Sequence, residues 1–247
     1  KNYLKKYDNT IHKKEIENLM VQLFRSISKY DMAFDALSAI PLPNLEQQKS
    51  LQQLAFFLGV KEYNSAAYIQ AITYFQIADQ YSIDNKIAYA TIFWLADCYY
   101  QLNDFAMSAE LYSTLTLENT VNFGFYYELK QYHLAYAYFK LGEYKKANTY
   151  FRKYEKLATD SLHLNDTYLR IADCFFMNEE YTLSEKYYKK AIAYSLFDED
   201  YAMYNRSLAL GLSGKNNSKV KLLSKLTSDF TSSIYYDNAL YDLACHY

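Results

Sequence analysis

The chain has 247 residues, 51% of them hydrophobic, with a formal net charge of −2 and a pI near 6.1. That length and apolar content can bury a large core, while the near-neutral balance argues against a nucleic-acid binder, which carries a basic face. Only 5 Gly and 2 Pro are present, too few turn residues for an all-β fold, and the apolar runs are short and broken by charge, so none reads as a transmembrane helix.

In chain order, residues 1–13 are polar and Lys-rich and read as a helical lead-in. Residues 14–43 then carry two amphipathic stretches, with Phe24, Tyr30, Ala33 and Leu37 at helical spacing, closed by Pro41 and Pro43, neither of which continues a helix. Residues 46–84 place Gly59 on a first helix and Ala71, Phe75 and Ala78 on a second. Residues 85–120 repeat the arrangement with Leu95, Ala96 and Tyr99, then Phe105, Ser108 and Tyr112. The clearest unit is 124–160, whose core KQYHLAYAYFKLGEYKKANTYFRKY spans Lys130–Tyr154. Leu134, Ala135 and Tyr138 share one face of its first helix; Ala147, Phe151 and Tyr154 share one face of its second, at i, i+4, i+7. Ala135 and Ala147 let the two backbones approach, and Tyr138 and Phe151 are expected to fill the space around them. Residues 165–198 follow with Ile171, Ala172 and Phe175, then Tyr181, Ser184, Tyr188 and Ala191. In 200–232, Ser207 and Leu210 match but Lys219 replaces the small residue of the second helix, and 234–247 supplies a first helix alone through Leu243, Ala244 and Tyr247.

The small residues Val21, Gly59, Ala96, Ala135, Ala172, Ser207 and Ala244 set one register, with steps of 38, 37, 39, 37, 35 and 37 residues. The Leu-Ala-x2-Tyr…Ala-x3-Phe pattern at Leu134–Phe151 resembles the tetratricopeptide repeat (TPR). The resemblance implies an all-α, right-handed superhelical solenoid of antiparallel helix pairs: six repeats plus a half repeat in a single continuous array over 1–247. Starting at Lys1 and stopping within a repeat, the chain is expected to be a piece of a longer protein, and its targeting is not legible from it.

No catalytic constellation is evident. Gly211–Asn216 lacks the four residues between glycines and the Ser or Thr after Lys that a phosphate loop needs, and reads as an inter-helix turn. His12, His133, His163 and His246 sit in different repeats without a paired ligand. Cys98 and Cys174 recur in Ala-Asp-Cys two repeats apart, beyond the ~7 Å reach of a disulfide, and read with Cys245 as small packing residues. Asn165, Asn205 and Asn216 each open a glycosylation sequon. Neither cofactor nor metal is expected, and the chain is read as no enzyme.

In the family, first helices line a concave surface, and positions 2, 5, 9 and 12 face the ligand. Carried over, these positions give Glu15, Asn18, Gln22 and Arg25 in the first repeat, then an aromatic lining of Phe56, Tyr63, Phe93, Tyr100, Tyr132, Tyr136, Phe139, Phe176 and Tyr204, with Asp97 and Asp173 as polar orienters. The lining lacks the Lys/Asn/Arg clamp of chaperone-binding members. Its large, rigid rings suit a protein or peptide partner, and the expected function is a non-catalytic scaffold or adaptor. The last repeats, IADCFFMNEEYTLSEKYYKKAIAYSLFDEDYAMY and SIYYDNALYDLACHY, resemble long bacterial cell-envelope TPR proteins, which implies a periplasmic or outer-membrane-associated role. A carbohydrate-binding module stacking sugars on the same aromatics, or the sensory region of a larger, cytoplasmic regulator, are the alternatives.

Overall fold

A computed structural model describes residues 29–116, 124–158, 160–194 and 196–245. Among them are twelve α-helices and no strand: α1 Tyr30–Ser38, α2 Leu45–Asn64, α3 Tyr68–Tyr81, α4 Asn85–Gln101, α5 Phe105–Thr114, α6 Gly124–Lys140, α7 Tyr144–Leu157, α8 Ser161–Met177, α9 Tyr181–Tyr194, α10 Glu199–Leu212, α11 Asn216–Asp229 and α12 Tyr236–Ala244. The fold class is the all-α one expected, with even-numbered helices as first helices of each pair and odd-numbered ones as second. Val21, Phe24 and the groove positions from Glu15 to Arg25 lie outside the described residues, as do His12, His246 and Tyr247. Among the described residues, those up to Tyr127 form one compact unit and those from Glu128 a second, the division falling within α6.

The small-then-large spacing of the second helices builds both cores. Ala33 and Leu37, Ala71 and Phe75, Ser108 and Tyr112, Ala147 and Phe151, and Ser184 and Tyr188 are all essentially inaccessible. Each large member contributes roughly 2–3 kcal/mol by leaving water. On the first helices Ala96, Ala135, Ala172 and Ser207 are equally buried, so the backbones meet where side chains are smallest. Tyr138 is half-buried and packs against the core cluster that holds Ala135, Ala147 and Phe151. Its ring stacks on Tyr150, with centroids 5.6 Å apart, and the Lys146 ammonium lies over it at 5.0 Å. In the sixth pair the missing small residue is compensated across the interface. Lys219 lies against Gly211, where a β-carbon would come within 3.1 Å of its chain, and its ammonium reaches Asp242 of α12 at 3.2 Å.

Helix ends follow the same register. Seven residues after each small position the chain turns left-handed: Ala66 (φ 57°), Asn103 (64°), Gly142 (75°), Glu179 (62°) and Gly214 (75°). Paired backbone bonds close each turn, such as Glu143 N–H to Tyr138 C=O (2.9 Å) and Gly142 N–H to Phe139 C=O (3.0 Å). This lets a second helix follow within three residues, so α3, α7 and α11 begin without a side-chain cap. The longer links between pairs give room for capping: Asn44 and Gln47 form a reciprocal box on α2, and Asp84 and Asp160 cap α4 and α8. A left-handed alanine or glutamate costs about 1 kcal/mol that glycine does not. Ala66→Gly and Glu179→Gly are therefore expected to stabilise the chain by about 0.5–1 kcal/mol each, and Gly142→Ala to destabilise it by a similar amount. Thermal melts of the three single variants check both signs.

Seven residues before the small position a second device recurs. The Gln52 amide donates to the Asp84 carbonyl (3.2 Å) and accepts from the Asp84 N–H (2.8 Å). Asn165 donates to the Phe197 carbonyl (3.3 Å), and the Asp200 carboxylate accepts from the Ser233 hydroxyl (2.5 Å). Each side chain holds the loop that leads into the following pair. Asn165 is wholly buried, so its amide is inaccessible to glycosylation in the folded chain.

Candidate functional site

In unit 1 the expected lining residues divide by burial. Phe93 is 3% exposed and sits among the rings of Trp94, Tyr112 and Tyr126, with centroids 5.2–5.8 Å away. Asp97, also 3% exposed, accepts from the Tyr63 hydroxyl on the preceding first helix and from Tyr112 on its own second helix (3.3 Å). Phe56 is half-buried against Phe75. Tyr100 lies edge-on to Phe105 at 5.2 Å.

The same chemistry is more extensive in unit 2. Tyr132 and Tyr136 both donate to the Asp166 carboxylate, Tyr132 at 2.8 Å. Arg170, one turn on, donates through Nε to Asp166 (3.2 Å) and to the Tyr136 oxygen (3.1 Å), and through Nη1 to Asp173 (2.5 Å). Asp173 also accepts from Tyr188 (2.6 Å) and Tyr201 (2.7 Å). Helices α6, α8, α9 and α10 are thereby tied by one run of hydroxyls, carboxylates and a guanidinium. Burial pushes the Asp173 carboxyl upward, opposed by Arg170 and the two hydroxyls. Burial and Asp166 hold the phenol of Tyr136 well above its ordinary value.

Tyr63, Tyr100, Phe139 and Phe176 share one register position, four residues past the small one, and each meets the first residue of the next helix. Tyr63–Tyr68, Tyr100–Phe105, Phe139–Tyr144 and Phe176–Tyr181 are edge-on pairs with centroids 5.2–5.5 Å apart. They staple each turn while staying half-exposed. Tyr204 stacks on Tyr235, 5.2 Å away at 17°. Beside this pair a cleft of about 370 Å³ opens, lined by Arg170, Asp198, Asp200, Tyr201 and Ser232–Tyr235.

Sequence reasoning did not single out Arg170 or the Ser232–Tyr235 loop. The signal for Arg170 was present: it lies four residues after Asp166 and three before Asp173, where helical neighbours pair. The loop carries no comparable mark. Gly211–Asn216 spans the α10–α11 turn at 213–215, Cys98 and Cys174 are buried and free, and Cys245 is exposed and free. Burial pushes the Cys98 thiol up to about 12, with Asp97 adding to it. Among the described residues no group of three His, Cys, Asp or Glu is placed to hold a metal ion, and no helix is long and apolar enough to cross a membrane.

Burial pushes the Lys130 ammonium of unit 2 down to about 8, with the positive charge of Lys153 adding to it. Between about pH 8 and the ordinary lysine value near 10.5 the unfolded chain binds more protons than the folded one, so stability rises with pH there. Tyrosines oppose this above pH 10: burial raises Tyr89 to about 12 and Tyr112 further. The unfolded chain then loses protons first and stability falls. Melting temperature is expected to climb from pH 8 to 10 and drop beyond, and Lys130→Met to flatten the climb while leaving the drop.

Antiparallel helix pairs with small residues at their crossings, repeated along both units, define a helical-repeat protein. The tetratricopeptide repeat family model matches residues 131–161, and the chain has a TPR-like fold. No curated protein matches the sequence. Among solved structures, MamA from Desulfovibrio magneticus RS-1 (residues 41 to the end) aligns with a TM-score of 0.61 at 12% identity, over 74% of this chain and 97% of that one. YrrB, described as a TPR protein with an unusual peptide-binding site, aligns with 0.63 at 11% over 75% and 90%. PilF of Pseudomonas aeruginosa aligns with 0.56 at 14% over 91% and 96%.

Proposed function

We propose that this protein is a non-catalytic adaptor that holds a protein or peptide segment against the first helices of its repeats, with the unit 2 cleft as one anchoring point. The cleft carries the reading. It places Arg170, Asp198 and Asp200 beside the Tyr201 and Tyr235 rings and beside Ile234, which is 83% exposed. Charged groups of both signs with hydroxyls can pair the amides and carbonyls of an extended segment, and the rings and Ile234 offer an apolar seat. The hydrogen-bonded network beneath keeps these groups in place, so binding orders few side chains. The half-exposed Phe56, Tyr63, Tyr100, Phe139 and Phe176 extend the same kind of surface along the first helices of each unit. The peptide-binding site named for YrrB, a protein of like fold, agrees with this reading.

Affinity capture with the whole chain tests it. Ser232→Trp fills the cleft from an exposed position, and Ile234→Glu removes its apolar seat. Both are expected to weaken the captured partner at least tenfold while helicity and melting temperature stay unchanged. A partner held equally well by both variants would place the site elsewhere. We further place the adaptor in the bacterial cell envelope. Recovery of the full-length protein in the periplasmic or membrane fraction supports that assignment, and recovery in the cytosol alone overturns it.

A further inference from the structure

A different surface of unit 2, formed by second helices, carries its own pattern. Counted from the small residue of each second helix, the sixth position onward is Lys153 in α7, Lys190 in α9 and Lys225 in α11, and the fifth is Arg152 in α7 and Lys189 in α9. The corresponding sixth positions of unit 1 are Ala39, Ile77 and Thr114, so the basic ladder belongs to unit 2 alone among the described residues. Arg152, Lys153, Lys189 and Lys225 are exposed. Lys190 is the member with an anionic neighbour, Glu155, at 2.8 Å. That bond, with Tyr187 donating to the same carboxylate (3.2 Å), sets α7 and α9 side by side.

The ladder is paired with aromatic and apolar groups at helical spacing. Lys153 lies over the Tyr150 ring at 4.5 Å and Lys190 over Tyr187 at 4.5 Å. Four residues beyond each lysine, on the same stripe, stand Leu157 and Tyr194, 42% and 38% exposed. Each stripe thus reads tyrosine, lysine, then an exposed apolar side chain. Two clefts of this unit are lined by other residues, and this face offers a broad field of point charges. A single extended polymer gains little from such a face, whereas a planar array of anions can meet every charge at once. Lysine stems and tyrosine bodies also tolerate the margin between water and hydrocarbon.

We infer that the α7–α9 face of unit 2 is a docking surface for an anionic lipid bilayer. The Lys and Arg side chains meet the headgroups, and Leu157 and Tyr194 reach the apolar margin. Acidic groups near the face limit the contact to these stripes: Glu155 is already paired with Lys190, Asp160 caps α8, and Asp229 follows Lys225 at the end of α11.

The test uses the whole chain and sedimentation with vesicles of phosphatidylcholine alone or with about a third phosphatidylserine. Binding is expected to the mixed vesicles and not to the neutral ones, and to weaken with salt. Removing one cation near such a surface weakens binding about fivefold, so Arg152→Gln/Lys153→Gln/Lys189→Gln is expected to lose about a hundredfold. Leu157→Gln/Tyr194→Gln is expected to lose about tenfold. The unit 1 variant Lys49→Gln/Lys61→Gln/Lys86→Gln changes net charge equally and is expected to bind like the wild type. Equal losses in both triple variants, or equal binding to neutral vesicles, would overturn the assignment. So would absence of vesicle binding together with capture of an oligoglutamate peptide or a single-stranded oligonucleotide through the same three residues. This inference stands independently of the first-helix cleft, since none of the substituted residues lines it.

Discussion

Replacing Asp173 by alanine is expected to destabilise unit 2 by about 3–5 kcal/mol, the usual cost of removing one partner from a buried charged cluster. The carboxylate is 6% exposed and accepts from Arg170, Tyr188 and Tyr201. Its loss strands the Tyr188 hydroxyl, on a residue 1% exposed, and leaves Asp166 as the anion still bonded to Arg170. Asp173→Asn keeps the shape and removes the charge, with an expected cost of about 1.5–3 kcal/mol. Urea titration of both variants measures the two terms. Tyr188→Phe in the Asp173→Ala background should return part of the loss by removing the stranded hydroxyl. An alanine cost below 1 kcal/mol would mean that water reaches this cluster.

Gly59→Val is expected to cost unit 1 about 3 kcal/mol or more, through overpacking rather than through any lost bond. A β-carbon at Gly59 would lie 2.6 Å from Cε1 and 2.7 Å from Cδ1 of Phe75, a ring with no exposed surface that also touches Phe56. The ring cannot swing aside without opening the core, and a β-branched residue brings further atoms to the same point. Helix propensity opposes this by about 1 kcal/mol for alanine over glycine and by less for valine, so Gly59→Ala is the milder variant. Phe75→Leu should rescue both, and denaturant melts of the single and double variants separate steric conflict from propensity. If Gly59→Ala proves stabilising, the helices have moved apart and the close approach of α2 and α3 is not rigid.

Much of the fold was legible because a repeat states its pattern several times. The small-then-large spacing of the second helices, read from Ala147 and Phe151, located fully buried pairs at Ala71–Phe75, Ser108–Tyr112 and Ser184–Tyr188. Pro41 and Pro43 marked the break between α1 and α2. The start of α8 was less visible. The helix begins at Ser161, before the expected boundary at 165, since Asp160 caps it and nothing in Leu162–Leu164 breaks a helix. Reading the site was harder. Family positions named Tyr132, Tyr136, Asp97 and Asp173 as surface, yet the two aspartates are buried and serve hydroxyls of their own chain. A sequence shows that a carboxylate and a tyrosine each occupy a given face. It does not show that they meet across 15 or 34 residues and leave neither free for a ligand.

Helical periodicity, the 35–39-residue register and the positions of small residues were determined by the sequence alone. Each depends on spacing within one or two helices, and local stereochemistry translates spacing into faces. Only the tertiary structure decided that Lys219 fills an alanine's place by running past Gly211 to Asp242, that Asn165 grips the Phe197 carbonyl, and that Tyr201 turns to Asp173. Those outcomes depend on side chains from different helices competing for the same few ångströms, and the packed interior admits one arrangement of them.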